Sequence, residues 1–202
     1  TERYQGYQFD HGFQVLQTGY PEISNHLDLS RLDLSVFPAG VAVHASDAFH
    51  IIADPRRHPA QVLSTVTSSI GSFTDRLRLM KMVRTLVSQP MEQIFDDPEE
   101  KAGDFLRRYG FSESFITGFF TPFFGGACLD TSMSGSSRIL KYLTRLFATG
   151  DAALPVEGME AVSRQLAEAI PEEKIYCRQE VSSVGEGRVS LTDGRVFEAE
   201  MI

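Results

Sequence analysis

The sequence predicts an α+β fold: a helical subdomain with a small β element, flanked by β-rich segments. Three observations predict it. The opening stretch, Tyr4 to Ile23, alternates aromatic and polar side chains between glycines, and residues 41 to 53 alternate again as a hairpin does. From about residue 60 to 150, apolar residues recur at helical spacing between capping signals. Beyond residue 174, short alternating runs return, separated by Gly185-Glu186-Gly187 and Asp193-Gly194. No internal repeat or low-complexity linker interrupts the chain, and the change of pattern near Asp151 is the best boundary.

The opening stretch reads as extended chain broken at Gly6, Gly12 and Gly19, where the backbone needs positive φ or close approach. Residues 41 to 53 read as a β-hairpin, with Val41 and Val43 on one arm and Phe49, Ile51 and Ile52 on the other. Ser46-Asp47 is its expected turn and Asp54-Pro55 its end. Ser72-Phe73-Thr74-Asp75 fits a capping box opening a helix that runs to Gln89, where Pro90 stops it. Phe73, Leu77 and Met80 share one face of that helix, and Arg76, Arg78, Lys81 and Arg84 are expected to cover it with charge. Asp97-Pro98 supplies an N-cap and a first-turn proline for a second helix ending at Gly110. Ser112 caps a third, which carries Phe115, Phe119 and Phe123 at i, i+4 and i+8, with Gly125-Gly126 as its expected terminator. A fourth spans Ser136 to Thr149, closed by Gly150, and a fifth runs from about Met159 to Ile170. Strands are expected at Lys174–Val184, Arg188–Leu191 and Arg195–Ile202.

Composition narrows the function classes. The net charge of −8 and pI near 5.1, without a Lys/Arg cluster, argue against nucleic acid as a partner, because phosphate binding needs concentrated positive charge. No apolar run approaches the roughly 20 residues that span a bilayer, and no signal peptide opens the chain, so a cytoplasmic protein is expected. The two cysteines, Cys128 and Cys177, lack metal-ligand spacing and read as reduced, mostly buried thiols. None of the five histidines sits at metal-ligand spacing either, so no metal is expected. No nucleophile elbow, P-loop or Gly-x-Gly-x-x-Gly turn occurs.

Three segments carry a more specific signal. Phe9-Asp10-His11-Gly12-Phe13 reads by itself as a strand entering a turn at a glycine. Leu154-Pro155-Val156-Glu157-Gly158-Met159 leads into a helix, and Ile175 to Val181 leads into a run of strands. Placed in this order they resemble the FAD-dependent amine oxidase, phytoene desaturase and protoporphyrinogen oxidase superfamily. The loop of the form Pro-x-Gly-Gly-Met has Glu157 where that pattern has its first glycine.

The resemblance implies that residues 1–20 are an edge segment of an FAD domain, 21–150 a substrate-binding domain, and 151–202 a returning FAD-domain segment. It implies FAD as cofactor, contacted by His11, Gly12, Phe13, Pro155, Gly158 and Met159, with the backbone of Val181 pairing to adenine at a strand end. His11 is the one histidine with a functional case, as a proton-transfer or orienting group. Phe115, Phe119, Phe120, Phe123 and Phe124 are either plain core or the wall of a pocket for an apolar or amine substrate. The implied reaction is hydride removal from a C–N or C–C bond by flavin, with reoxidation by oxygen or another acceptor; no residue presents itself as a catalytic base. Without the dinucleotide turn, the 202 residues are expected to be an internal fragment, inactive alone and binding FAD weakly or not at all. The alternative is a non-catalytic module that binds an apolar ligand or a partner helix against the phenylalanines.

Overall fold

Local hydrogen bonding and long-range strand pairing divide the work of ordering this chain. A computed structural model describes residues 1–45, 48–53 and 70–200. The Ser46-Asp47 turn, the Asp54-Pro55 strand end, His58 and the last two residues of the chain therefore lie outside the described residues. Two units are distinguished, Thr1–Val162 and Ser163–Ile202.

In the first unit, β1 (Glu2–Tyr4) and β2 (Tyr7–Phe9) form an antiparallel hairpin. Two residues of β3 (Leu16–Gln17) and three of β4 (Leu34–Val36) flank β7 (Ala152–Pro155) in a sheet of order β3-β7-β4. Between β3 and β4 lie α1 (Pro21–His26), opened by a proline at its first position, and a 3₁₀ turn (Leu29–Arg31) capped by Asp28. The hairpin β5 (Gly40–Ala45) and β6 (Ala48–Ala53) turns Val41, Val43 and Ile52 onto the core and leaves Phe49 and Ile51 exposed, the period-2 division of a half-buried sheet.

Helices supply the core. They are α2 (Phe73–Ser88), α3 (Gln93–Asp96), α4 (Ala102–Tyr109), α5 (Glu113–Phe115), a π-helical turn (Ile116–Phe120), α6 (Thr121–Cys128) and α7 (Ser137–Thr149). Met82, Leu86, Ile94, Leu106, Phe115, Phe120 and Leu140 meet in one buried cluster. The capping box at Ser72 and Asp75 forms as expected, and Asp75 also reaches across to Ser112, accepting its backbone N–H at 2.9 Å and its hydroxyl at 2.7 Å. One fully buried carboxylate thus holds the starts of α2 and α5 together. That tether fixes the rotation of α2 and corrects one expectation. Phe73, Leu77 and Met80 are on its exposed side, 44–60% accessible, while Met82 and Leu86 face inward. At the other end of α2, Arg145 on α7 donates to the carbonyls of Leu86 and Gln89.

Other expectations change as well. The second helix begins at Ala102 instead of beside Asp97-Pro98, because its first N–H groups are taken by the preceding loop of α7: Ala102 N donates to Gly135 O at 2.8 Å and Gly103 N to Met133 O at 2.9 Å. Asp97 binds the Lys141 ammonium at 2.6 Å instead. Gly125 and Gly126 lie inside α6, which ends at Leu129 in the left-handed region. Finally, both cysteines are exposed, Cys128 as the last residue of α6 and Cys177 ahead of the final strands.

Helix α8 (Glu160–Ala167) spans the division between the units. In the second unit, a 3₁₀ turn (Glu172–Lys174) precedes an antiparallel meander of β8 (Val181–Gly185), β9 (Arg188–Leu191) and β10 (Val196–Glu198), in the order β10-β9-β8. Residues 175–180, expected as strand, are irregular. Arg178 has φ 57, which an extended strand does not accommodate, so Val181 opens a strand instead of closing one.

Candidate functional site

The Phe9–Phe13 segment and the Pro155–Met159 loop are some 145 residues apart in sequence and meet in the first unit. Pairing of β7 with β3 and β4 delivers Pro155 to that meeting place, and β2 delivers Asp10. After Pro155 the chain turns sharply, with Gly158 N donating to Pro155 O at 2.8 Å. The Met159 N–H then points at Asp10, lying 3.1 and 3.2 Å from its two carboxylate oxygens. Thr1 closes the arrangement: its hydroxyl donates to Asp10 Oδ1 and accepts the Glu160 N–H at 3.2 Å. Gln8 Nε2 adds a bond to Val156 O at 3.2 Å.

Gly158 is required at its position on two grounds. Its φ is +87°, and a Cβ there would lie 2.5 Å from the Thr1 hydroxyl oxygen and 3.0 Å from Gln8 Nε2. Asp10 is held below the usual carboxylate range, chiefly by the Thr1 hydrogen bond; partial burial opposes this, and the Met159 amide adds to it. Asp10 is therefore an anion at neutral pH.

Beside this tied pair, the chain from His11 to Val15 runs exposed. A Cβ at Gly12 would meet nothing within 4 Å, and Phe13 is 85% exposed. Among the described residues the backbone N–H groups of Gly12 and Phe13 have no hydrogen-bond partner. His11 lies at the surface with its Nε2 3.2 Å from Glu2. The site thus combines an anchored base with an open glycine backbone beside an exposed aromatic ring. Such a surface suits a flat, partly polar group laid against backbone.

The other predicted residues fall elsewhere. Val181 is half exposed in the second unit, on the outer strand β8. The five phenylalanines come together as expected for a cluster, and ring meets ring throughout: Phe115 and Phe119 stack at 5.1 Å, Phe120 meets Phe111 edge-on at 4.9 Å, and Phe123 meets Phe124 at 5.0 Å. Phe115, Phe120 and Phe124 are buried core, while Phe123 is half-buried at the cluster's edge and leans on Phe147. Sequence reasoning passed over Asp10, Thr1 and Gln8 as site residues. An aspartate directly before the His-Gly pair was the available signal, since a carboxylate suits a loop that must anchor distant amides.

The family model of the flavin containing amine oxidoreductases matches residues 1–202. The chain belongs to that family. No curated protein and no solved structure matches it. Flavin-dependent oxidoreduction is the chemistry of flavin containing amine oxidoreductases, and the residues fit the cofactor: Gly12 presents bare backbone with unpartnered donors beside the exposed ring of Phe13. Among the described residues, no helix is long and apolar enough to cross a membrane.

Proposed function

We propose that this chain is the substrate-binding part, with adjoining cofactor-domain segments, of an FAD-dependent oxidoreductase that oxidises a C–N or C–C bond of an apolar or amine substrate. The observation that carries the reading is the tie from Asp10 to Met159, which supports the Gly12 segment and the return loop acting on one ligand. When bound, FAD supplies the hydride acceptor.

The chain's own residues orient and enclose. Gly12 lets the backbone approach an isoalloxazine edge, and the N–H groups of Gly12 and Phe13 are donors for its polar atoms. Phe13 covers the ring and excludes water, a use consistent with so large an apolar side chain at 85% exposure. His11 is the titratable group next to that segment and orients or moves a proton there. Pro155, Gly158 and Met159 fix the floor. In the second unit, Val181 stands at the opening of β8, and its backbone is the group offered to adenine. Phe115, Phe119, Phe120, Phe123 and Phe124 form the apolar body against which the substrate docks, with half-buried Phe123 the member at its accessible edge.

The test is the visible absorption spectrum of the intact polypeptide. Bound-flavin bands that survive dialysis, and that bleach anaerobically on adding an amine, polyene or porphyrinogen, are the expected result. A folded, colourless protein that ignores added FAD would sink the reading.

A further inference from the structure

Asp10 is buried where its neighbours are open. His11, Gly12 and Phe13 are exposed, but the Asp10 side chain is only 8% exposed. It stands before the first turn of α8, where a helix leaves its leading N–H groups without partners. The Met159 amide bonds the carboxylate directly, and the Thr1 hydroxyl links the Glu160 amide to it. A negative charge here also complements the helix dipole. Two consequences follow. The positive end of α8 is matched by Asp10 from within the chain. And the two bonded segments are 149 positions apart in sequence: the β3–β7 pairing brings them near one another, and the Asp10–Met159 contact, with the Thr1–Glu160 and exposed Gln8–Val156 bonds, fixes how the loop after Pro155 meets the Asp10 segment.

We propose that Asp10 is a positioning residue, which locks the His11–Phe13 backbone against the Pro155–Met159 loop so that the flavin-facing surface is one rigid piece. The inference rests on the flavin reading given above and adds to it the residue that sets the surface. Asp10→Asn keeps the side chain's shape, but it removes the charge and turns an amide N–H₂ group toward amide donors. Gln8→Ala removes the second bond at an exposed position and leaves the fold's core untouched.

Both variants would be compared with the wild type in the intact polypeptide, measuring the FAD dissociation constant by flavin fluorescence and the shape of the bound flavin's visible bands. Circular dichroism melting run alongside reports folding. Asp10→Asn is expected to weaken FAD binding by about 10-fold or more, the size of a lost charged hydrogen bond, and to alter the bands. Gln8→Ala is expected to change both in the same direction by less, and it decides the matter if Asp10→Asn does not fold. Folded variants with wild-type affinity and unaltered bands would reduce Asp10 to a helix cap and overturn the proposal while leaving the flavin reading standing. A wild-type protein that binds no FAD would overturn both.

Discussion

Asp75 shows how much of this fold can hang on one side chain. It is fully buried, and burial alone would raise its pKa; hydrogen bonds from the Ser72 and Ser112 hydroxyls and amides outweigh that and hold it at about 2. A carboxylate whose folded pKa is depressed stabilises the protein above its unfolded pKa, and that stabilisation is lost as pH falls through the folded value. A shift from 3.8 to about 2 corresponds to about 2 kcal/mol. Urea midpoints should therefore drop as pH is lowered from roughly 5 to 2 in the wild type, and by a smaller amount in Asp75→Asn, where Asp130 and the other depressed carboxylates still titrate; the variant should itself be destabilised by about 2–4 kcal/mol at pH 7. Equal acid sensitivity in the two proteins would refute this assignment. Half of the Asp75 arrangement was legible in the sequence, because a capping box is a spacing of three residues. The Ser112 half was not, since no local pattern encodes a bond across 37 positions. Asp10 shares the difficulty in part: the aspartate before the His-Gly pair was a local signal, but its partner Met159, 149 positions on, was not.

At the scale of elements, a tight backbone approach joins the end of α7 to the turn after β3. A Cβ at Gly150 would lie 2.2 Å from Gly19 N and 2.5 Å from Gln17 Oε1, and one at Gly19 would lie 2.8 Å from Leu146 O. Backbone cannot step aside as a flexible side chain can. Gly150→Ala should then destabilise by about 1–3 kcal/mol, lowering Tm by roughly 3–10 °C. Gly126→Ala is the control: it is an exposed position of α6 with nothing near its Cβ position, and alanine's higher helix propensity should leave Tm unchanged or slightly raised. A Gly150→Ala protein melting with the wild type would show that the two segments part readily. The capped helices around these glycines were readable from period and punctuation. The strands β3 and β4 were not, because two or three residues hold no period and their partner β7 is more than 100 residues away. The start of α4 was misplaced for a related reason, its first donors being satisfied by carbonyls at Met133 and Gly135.

Across the whole molecule, stability is distributed unevenly, and the pattern of strands conceals it. The glycine turns of the meander and the strands beside them were legible, because alternation and turn chemistry are local, although the first strand was expected to begin near Lys174 and begins at Val181. Alternation does not say how much a strand buries. Every residue of β8 is exposed, and Leu191 is the one buried apolar side chain among the described residues of the second unit. About 40 residues with so little core are near the lower limit for independent stability, and a three-stranded sheet needs a covered face to hold. Thr1–Val162, in contrast, contains the aromatic and aliphatic cluster. In the polypeptide of residues 1–202, amides of β8–β10 should exchange hydrogen through local opening, orders of magnitude faster than those of α2 and α7, which open only with the core. Hydrogen exchange read by mass spectrometry separates these segments directly. If the meander were protected as strongly as α7, its exposed face would have to be covered in solution, and Val181 and Val184 would be the residues at which to look for the cover.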